Sequence, residues 1–297
     1  MVRKLCALLF SGLILIATEA PGHPGSGIVV DRHGNVYFVD TGSGIWKIDR
    51  QGVVTRIPGP AYHWMAIDID GRLKDVDLPN FSAGGAVVTR AGSNPTLLLS
   101  SDFPIVVGSD GSLYYPWLRD DKQLRVFRLA PGGATNVFKT IPAHGVGEPP
   151  HWLNGIAITA DGSLYYSEDR AVRRMTRGGA IVAIAKDVTV SDCDPIPGIV
   201  TDDGPYLRGL DADSHGTVYV AAAGCGAVLK ITADGKVSTA LRSTSPWSPT
   251  GIAVSGDSVY VLEYFHTVGD DRREWYPRVR KLTSDGRVVT VATITRR

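Results

Sequence analysis

The chain has 297 residues and carries 31 lysines and arginines against 30 aspartates and glutamates. This length is sufficient for one large domain with a substantial core. A near-neutral chain without a run of basic residues offers no electrostatic basis for binding nucleic acid or an anionic membrane surface.

Residues 1–20 have the pattern of a secretory signal peptide. Arg3 and Lys4 precede an uncharged apolar run from Leu5 to Ala17. The run is too short to span a bilayer. We therefore expect its removal, and a mature protein of residues 21–297 that is secreted or periplasmic and has no membrane span. The signal holds two basic residues and one acidic residue, so its removal leaves a net charge of zero.

Six tight glycine turns recur along the mature chain and predict a repeat architecture. The turns are RHGN (32–35), DIDGR (68–72), SDGS (109–112), ADGS (160–163), SHGT (214–217) and SGDS (255–258). Five of them are followed by a β-branched or aromatic run such as VYFVD or LYYSE, and a second glycine turn follows each one. Each unit is therefore interpreted as four short antiparallel strands joined in a meander.

The spacing predicts an all-β, six-bladed β-propeller of four-stranded antiparallel blades, because roughly 46 residues per unit suits a propeller blade. We place the blades near 26–58, 62–101, 102–142, 152–190, 206–243 and 249–295. The second unit is the least regular, since residues 72–85 make a weak second strand and a long loop. The sixth carries an insertion at 263–277. We expect simple closure, without a strand exchanged between the two ends of the chain.

Two segments resemble a known family. NGIAITADGSLYYSED (154–169) and TGIAVSGDSVYVLEY (250–264) are similar to blades of the NHL-repeat and SMP-30/gluconolactonase group of six-bladed propellers. The resemblance covers about residues 26–295 and implies a fold that hosts hydrolases, lyases and pure binding proteins. It also implies that first strands line a central channel, with functional groups gathered at the mouth where those strands begin.

Counting from the turn glycines places two rings of residues at that mouth. The first ring precedes the glycine by eight residues, or lies in register with that position: Ser26, His63, Phe103, Asn154, Arg208 and Thr250. The second ring follows it by about six residues: Asp40, Asp77, Trp117, Glu168, Ala222 and Glu263. The glycine turns themselves are expected on the opposite face.

The resemblance implies a metal role for one of these residues, because the asparagine of a similar NG motif binds a divalent metal in SMP-30 proteins. Asn154 occupies that position, and Glu168 and Glu263 are the candidate carboxylate ligands for calcium or zinc. At the family's glutamate and aspartate positions this chain has Ser26 and Arg208 instead. The alternative roles are acid–base catalysis for the two glutamates and substrate orientation for the Asn154 amide.

Arg208 and two histidines are the candidate catalytic residues. The rigid guanidinium fork of Arg208 suits a carboxylate, a phosphate or a developing oxyanion. The alternative is a salt bridge to Glu168 or to the acidic pair at 202–203. His63, or His151 in a loop on the same face, supplies an imidazole for proton transfer or zinc binding.

Three further residues are candidates for substrate binding at the mouth, namely Trp64, Trp117 and His266. These two tryptophans, together with Trp152, either form the floor of an apolar pocket or pack between blades. Cys193 and Cys225 form an even pair in an exported chain and fall in loops on the same face, so we predict a disulfide between them.

These features together predict a small polar or anionic ligand at the channel mouth, with hydrolysis of a lactone or ester, or a lyase reaction, as the chemistry. The alternative is a non-catalytic propeller that recognises a glycan, a peptide or a protein. The insertion at 263–277 favours this alternative slightly, since loop insertions often serve recognition. We expect a monomer that does not bind nucleic acid.

Overall fold

The computed structural model describes residues 24–78, 84–89, 95–118, 123–142, 152–193, 195–196, 204–267 and 275–295. The described chain consists of 23 strands and one 3-10 turn, Ala223–Cys225. No helix in these ranges is long and apolar enough to cross a membrane. The all-β class is therefore confirmed. The signal peptide, His151 and the acidic pair at 202–203 lie outside the described residues.

The strands form six antiparallel sheets, each built from one contiguous segment of the chain. The first sheet contains β1 (Ile28–Val30), β2 (Val36–Asp40), β3 (Gly44–Ile48) and β4 (Val54–Ile57). The second contains β5 (Trp64–Asp68), β6 (Gly85–Val88) and β7 (Thr96–Ser100). The third contains β8 (Val106–Val107), β9 (Leu113–Leu118), β10 (Leu124–Leu129) and β11 (Thr135–Ile141).

The remaining three sheets are four-stranded meanders. The fourth contains β12 (Leu153–Ile158), β13 (Leu164–Glu168), β14 (Ala171–Met175) and β15 (Ile181–Ala185). The fifth contains β16 (Leu207–Ala212), β17 (Val218–Ala222), β18 (Ala227–Ile231) and β19 (Val237–Arg242). The sixth contains β20 (Trp247–Ser255), β21 (Ser258–Phe265), β22 (Pro277–Leu282) and β23 (Val288–Thr293).

The first strands of the six sheets form a closed ring around a channel. Each first strand contacts the next, in the order β1, β5, β8, β12, β16 and β20, and β20 contacts β1 again. At that last seam the Thr250 hydroxyl donates to the Gly25 carbonyl at 2.6 Å, and the Tyr264 hydroxyl donates to the Val39 carbonyl at 2.9 Å. Six blades, each formed from one segment of the chain among the residues that the structure describes, confirm the predicted propeller.

The second blade departs from the predicted meander. Its described strands are ordered β5–β7–β6, and β5 pairs directly with β7 in the register Trp64↔Ser100. The predicted second strand after the DIDGR turn is wrong. Charged residues interrupt 72–78, whereas the TLLLS of β7 is buried at every position. In the fourth and sixth blades the second-ring residue is the one after the partner of Gly155 or Gly251, so the pairing of Trp64 with Ser100 gives the second-ring position of this blade to Ser101 and not to the exposed Asp77.

The glycine turns lie at the end of each blade opposite the mouth. Gly162 and Gly216 have φ values of 80° and 78°, in the left-handed region that favours glycine. The Gly162 amide donates to the Thr159 carbonyl at 2.9 Å and closes its turn. Fully buried side chains such as Phe38, Phe103 and Tyr166 fill the space between blades. Each turn thus fixes how the first and second strands of its blade pair, and this pairing brings the first-ring residues to one face.

Candidate functional site

Three first-ring residues lie in β-bulges at the mouth end of their strands. The pairing of β12 with β13 shifts register around Asn154, that of β16 with β17 around Arg208, and that of β20 with β21 around Thr250. A bulge leaves one residue out of the ladder and redirects its side chain, which is why bulges are common beside binding sites.

A glycine follows each bulged residue and lets neighbouring blades come together closely. A Cβ at Gly155 would lie 2.6 Å from the Arg208 carbonyl oxygen, and one at Gly209 would lie 2.8 Å from the Thr250 carbonyl oxygen. Neither space admits a side chain. The backbones of consecutive first-ring residues therefore touch, so their side chains gather in a small area around the channel mouth.

An open depression of about 540 Å³ lies on this face. It is lined by Pro24, His63, Trp64, Ser101, Asp102, Arg208 and Trp275. The structure thus brings together three residues singled out from the sequence, His63, Trp64 and Arg208. The channel behind it contains a smaller cavity, of about 200 Å³, which is lined mostly by aliphatic residues of the first strands.

The Arg208 guanidinium is half-buried and has no carboxylate partner among the described residues. Its Nη2 donates to the Pro24 carbonyl at 3.2 Å, and its guanidinium carbon lies 5.8 Å from the centre of the Tyr206 ring. Burial lowers the pKa of this guanidinium, which still carries its charge as arginines in proteins do. The predicted alternative of a salt bridge to Glu168 is wrong, because that carboxylate pairs with Arg173.

His63 is held by its neighbour in the second blade. Its Nδ1 lies 2.5 Å from the Ser101 carbonyl oxygen, which can only accept, so Nδ1 carries a proton. In the neutral ring the lone pair is then on Nε2. The Ser101 hydroxyl in turn donates to Asp102 at 2.9 Å. This places a defined imidazole tautomer in the same depression as the Arg208 charge.

His266 is buried against the wall of the depression. It is 2% exposed, and neither ring nitrogen has a hydrogen-bond partner in the described chain. Its ring centre lies 4.6 Å from that of Trp275. Burial, together with the positive charge of Arg208, lowers the pKa of His266 to about 4. The imidazole is therefore neutral at pH 7.

The two glutamates predicted as metal ligands form ion pairs with arginines. Glu263 is fully buried and accepts hydrogen bonds from Ser243, Arg278 and Arg280. Glu168, 2% exposed, accepts from Arg173 Nε at 3.0 Å. Paired carboxylates of this kind have their charge neutralised and their oxygens used.

A calcium or zinc site built from Asn154, Glu168 and Glu263 therefore does not fit the structure. The described residues also contain no group of three histidines, cysteines, aspartates or glutamates placed to hold a metal ion. At the mouth itself a guanidinium occupies one of the ring positions, and its positive charge opposes a bound cation.

Trp117, predicted to bind substrate, is partly buried and packs against the core cluster of the second and third blades. Its ring packs edge-to-face on Phe103 with the centres 5.3 Å apart. These contacts agree with the packing alternative, and Trp117 is not among the residues that line the depression. Asn154, by contrast, is half-buried and has no hydrogen-bond partner among the described residues for its amide.

Sequence reasoning missed two residues of this region. Trp275 belongs to the insertion of the sixth blade, whose sequence has no periodic pattern from which its position could be predicted. Asp211 lines the channel and accepts from the amides of Ala212 and Val254, each at 2.8 Å. Burial raises the pKa of Asp211 to about 6.

The predicted disulfide between Cys193 and Cys225 is confirmed. Cys225 ends the 3-10 turn whose backbone supports the chain just before Arg208. The Ala223 amide donates to the Tyr206 carbonyl and the Gly224 amide donates to the Pro205 carbonyl, both at 3.0 Å. The bridge therefore stabilises a segment directly beside the depression.

No protein-family model matches the sequence, and no curated protein sequence matches it. Solved structures do match. Virginiamycin B lyase from Staphylococcus aureus superposes with a TM-score of 0.50 at 15% identity, over 95% of this chain and 87% of that chain. The calcium-binding protein regucalcin from Agrobacterium tumefaciens superposes with a TM-score of 0.52 at 15% identity, over 86% of each chain.

At this identity the likeness concerns the fold. The chain is a six-bladed β-propeller with the fold of virginiamycin B lyase and regucalcin, so the predicted resemblance to the SMP-30/gluconolactonase group is confirmed at the level of the fold.

Proposed function

We propose that the mouth of the propeller binds a small carboxylate ligand, held by the guanidinium of Arg208 and oriented by the amide of Asn154. The observation that carries the proposal is the half-buried Arg208, which has no carboxylate partner among the described residues. A buried charge is costly unless it is paired. A carboxylate from solution would supply the missing partner through a charge-assisted hydrogen bond.

The chemistry that this site supports is proton transfer by His63. In hydrolysis of a lactone or ester, Nε2 of His63 takes a proton from water while the water oxygen bonds to the carbonyl carbon. In this reaction the substrate's carbonyl oxygen takes the place of the carboxylate on Arg208, and the guanidinium stabilises the oxyanion that develops. The C–O bond to the leaving group then breaks, and the same nitrogen returns the proton to the leaving oxygen. In a lyase reaction Nε2 would instead remove a proton from carbon, the C–H electron pair would form a double bond to the adjacent carbon, and the bond from that carbon to the leaving oxygen would break. Virginiamycin B lyase is a lyase with this fold.

Regucalcin is named a calcium-binding protein, but the residues present here do not form an equivalent set. The candidate glutamates are bonded to arginines, and Arg208 places a positive charge at the mouth. We therefore derive no step through a metal.

A second candidate function is recognition without catalysis, of a glycan, peptide or protein. The insertion of the sixth blade favours it, because Trp275 from that segment forms part of the wall of the depression. A loop that contributes to the wall increases the contact area available to a larger partner.

The test is a titration of the mature protein with acetate, benzoate and a set of lactones and esters, by calorimetry and by turnover. Arg208→Gln should weaken carboxylate binding by about 10- to 100-fold, the range for a hydrogen bond to a charged group. Arg128→Gln, on the turn face where it pairs with Asp110, is the matched control and should bind normally. Undiminished binding by Arg208→Gln would contradict the proposal.

His63→Ala separates the two candidate functions. An enzyme should lose turnover with this substitution while retaining the Arg208-dependent binding. A recognition protein should show no turnover on any lactone or ester in either form.

A further inference from the structure

The same four-residue pattern occurs at the mouth ends of the fourth and fifth blades. Trp152-Leu153-Asn154-Gly155 and Tyr206-Leu207-Arg208-Gly209 each have an aromatic residue, a leucine, a polar first-ring residue and a glycine. Both leucines are fully buried, whereas Trp152 is 39% and Tyr206 is 44% exposed. Each pattern therefore presents one partly exposed aromatic ring on this face.

The two patterns lie side by side. Their strands β12 and β16 are neighbours in the ring, and Gly155 fits directly against the Arg208 carbonyl. The Ser167 hydroxyl, from the fourth blade, donates to the same carbonyl at 3.1 Å. The backbones that carry Asn154 and Arg208 are therefore in contact at the mouth, and each of the two residues follows an exposed aromatic residue by two positions.

Tyr206 is held in an unusual backbone conformation. Its φ of 47° lies in the left-handed region, where a bulky residue other than glycine is a genuine outlier. Hydrogen bonds from Ala223 and Gly224 fix the backbone here, next to the Cys193–Cys225 disulfide. Strain of this kind persists where the surrounding structure imposes it and clusters at ligand sites. It keeps an exposed phenol ring 5.8 Å from the Arg208 guanidinium.

We propose that Trp152 and Tyr206 determine specificity, by stacking on the ring of a cyclic carboxylate whose acid group is bound by Arg208 and Asn154. This rests on the proposed function and deepens it, since it names the class of ligand. An aromatic face gains stacking energy from a flat ring or from the face of a sugar, and less from a flexible alkyl chain that must be ordered first. The ligand is therefore a carboxylate attached to a ring with a flat apolar face, a feature that aromatic acids and sugar acids share.

The test compares benzoate with heptanoate, which have the same number of carbons and one carboxylate each. The protein should bind benzoate, or glucuronate as the sugar acid, about tenfold more tightly than heptanoate. Trp152→Ala and Tyr206→Ala should each reduce this preference severalfold and leave heptanoate affinity nearly unchanged. Tyr206→Phe keeps the ring and should retain the preference.

The outcomes separate this inference from the proposed function. If benzoate and heptanoate bind with equal affinity, and Arg208→Gln weakens the binding of both, the inference is overturned and the proposed function stays intact. Binding of no carboxylate by the unmodified protein would overturn both. A ring preference that survives both alanine substitutions would assign stacking to other residues and also overturn the inference. Unchanged far-UV circular dichroism and an unchanged Tm of each variant confirm that it is folded.

Discussion

Substitution of Gly155 by alanine should separate the fourth and fifth blades at the mouth. The new Cβ would lie 2.6 Å from the Arg208 carbonyl oxygen and 3.2 Å from the Leu210 amide nitrogen, and ordinary contact begins at 3.4 Å. Both obstacles are backbone atoms of a strand that lines the channel, so one strand must move by about 0.8 Å. Overpacking of this kind costs about 1–3 kcal/mol, and we expect the upper end because both strands are packed on two sides.

A loss of about 3 kcal/mol corresponds to a fall in Tm of roughly 6–12 °C for a chain of this size. The assay is thermal and urea unfolding followed by far-UV circular dichroism. Gly132→Ala is the matched control, since a Cβ there meets nothing within 4 Å. The same shift should move Arg208 and weaken carboxylate binding. If Gly155→Ala unfolds at the same temperature as Gly132→Ala, the close approach of the blades is not what the structure implies.

Three further predictions concern the buried charges, the pH response and the disulfide. Glu263→Gln leaves two largely buried arginines without their carboxylate and should lower the free energy of unfolding by about 3 kcal/mol. Asp285→Asn removes the carboxylate of an exposed ion pair and should leave the free energy of unfolding unchanged. Equal losses of stability in the two variants would refute this reasoning. The pKa of His266 is about 4 in the folded protein and about 6.5 in the unfolded chain. The contribution of the neutral imidazole to the free energy of unfolding is therefore complete above pH 6.5 and is lost as the pH falls to about 4. When the pH is lowered from 7 to 4, the free energy of unfolding of His266→Phe should therefore rise by about 3 kcal/mol relative to that of the unmodified protein. Parallel curves of unfolding free energy against pH would contradict the assigned pKa. Loss of the Cys193–Cys225 bridge should cost about 3–4 kcal/mol from loop closure, and native unreduced protein should take up no alkylating reagent by intact mass.

Most of the fold was predictable because its signals are local. A turn glycine such as Gly162 requires a left-handed conformation whatever surrounds it, so its spacing marks each blade. The second blade was not predictable in this way. There the choice of partner for β5 lies between residues 72–78 and the more apolar 96–100, which are far apart in the chain. Burial decides that choice, and only the closed propeller determines what is buried.

The candidate site was located better than its chemistry was. Counting along the repeat places His63 and Arg208 at the mouth, and both line the depression. The same counting places Glu263 there as a carboxylate, but it cannot show that Arg278 stands directly opposite in the neighbouring strand. An ion pair between strands 15 residues apart in sequence changes a candidate metal ligand into a structural residue.

The bulges at the mouth have a consequence for how this protein can change over evolutionary time. The ladder continues on either side of Asn154, Arg208 and Thr250, and the glycines that follow them make the contacts between blades. At Asn154 and Arg208, scaffold and lining are therefore separate sets of residues, whereas the Thr250 hydroxyl also holds the seam between the sixth and first blades. Mutations at Asn154 and Arg208 can exchange one chemical group for another while the frame is inherited unchanged, which makes these two positions the natural choice for a laboratory library that seeks a new ligand.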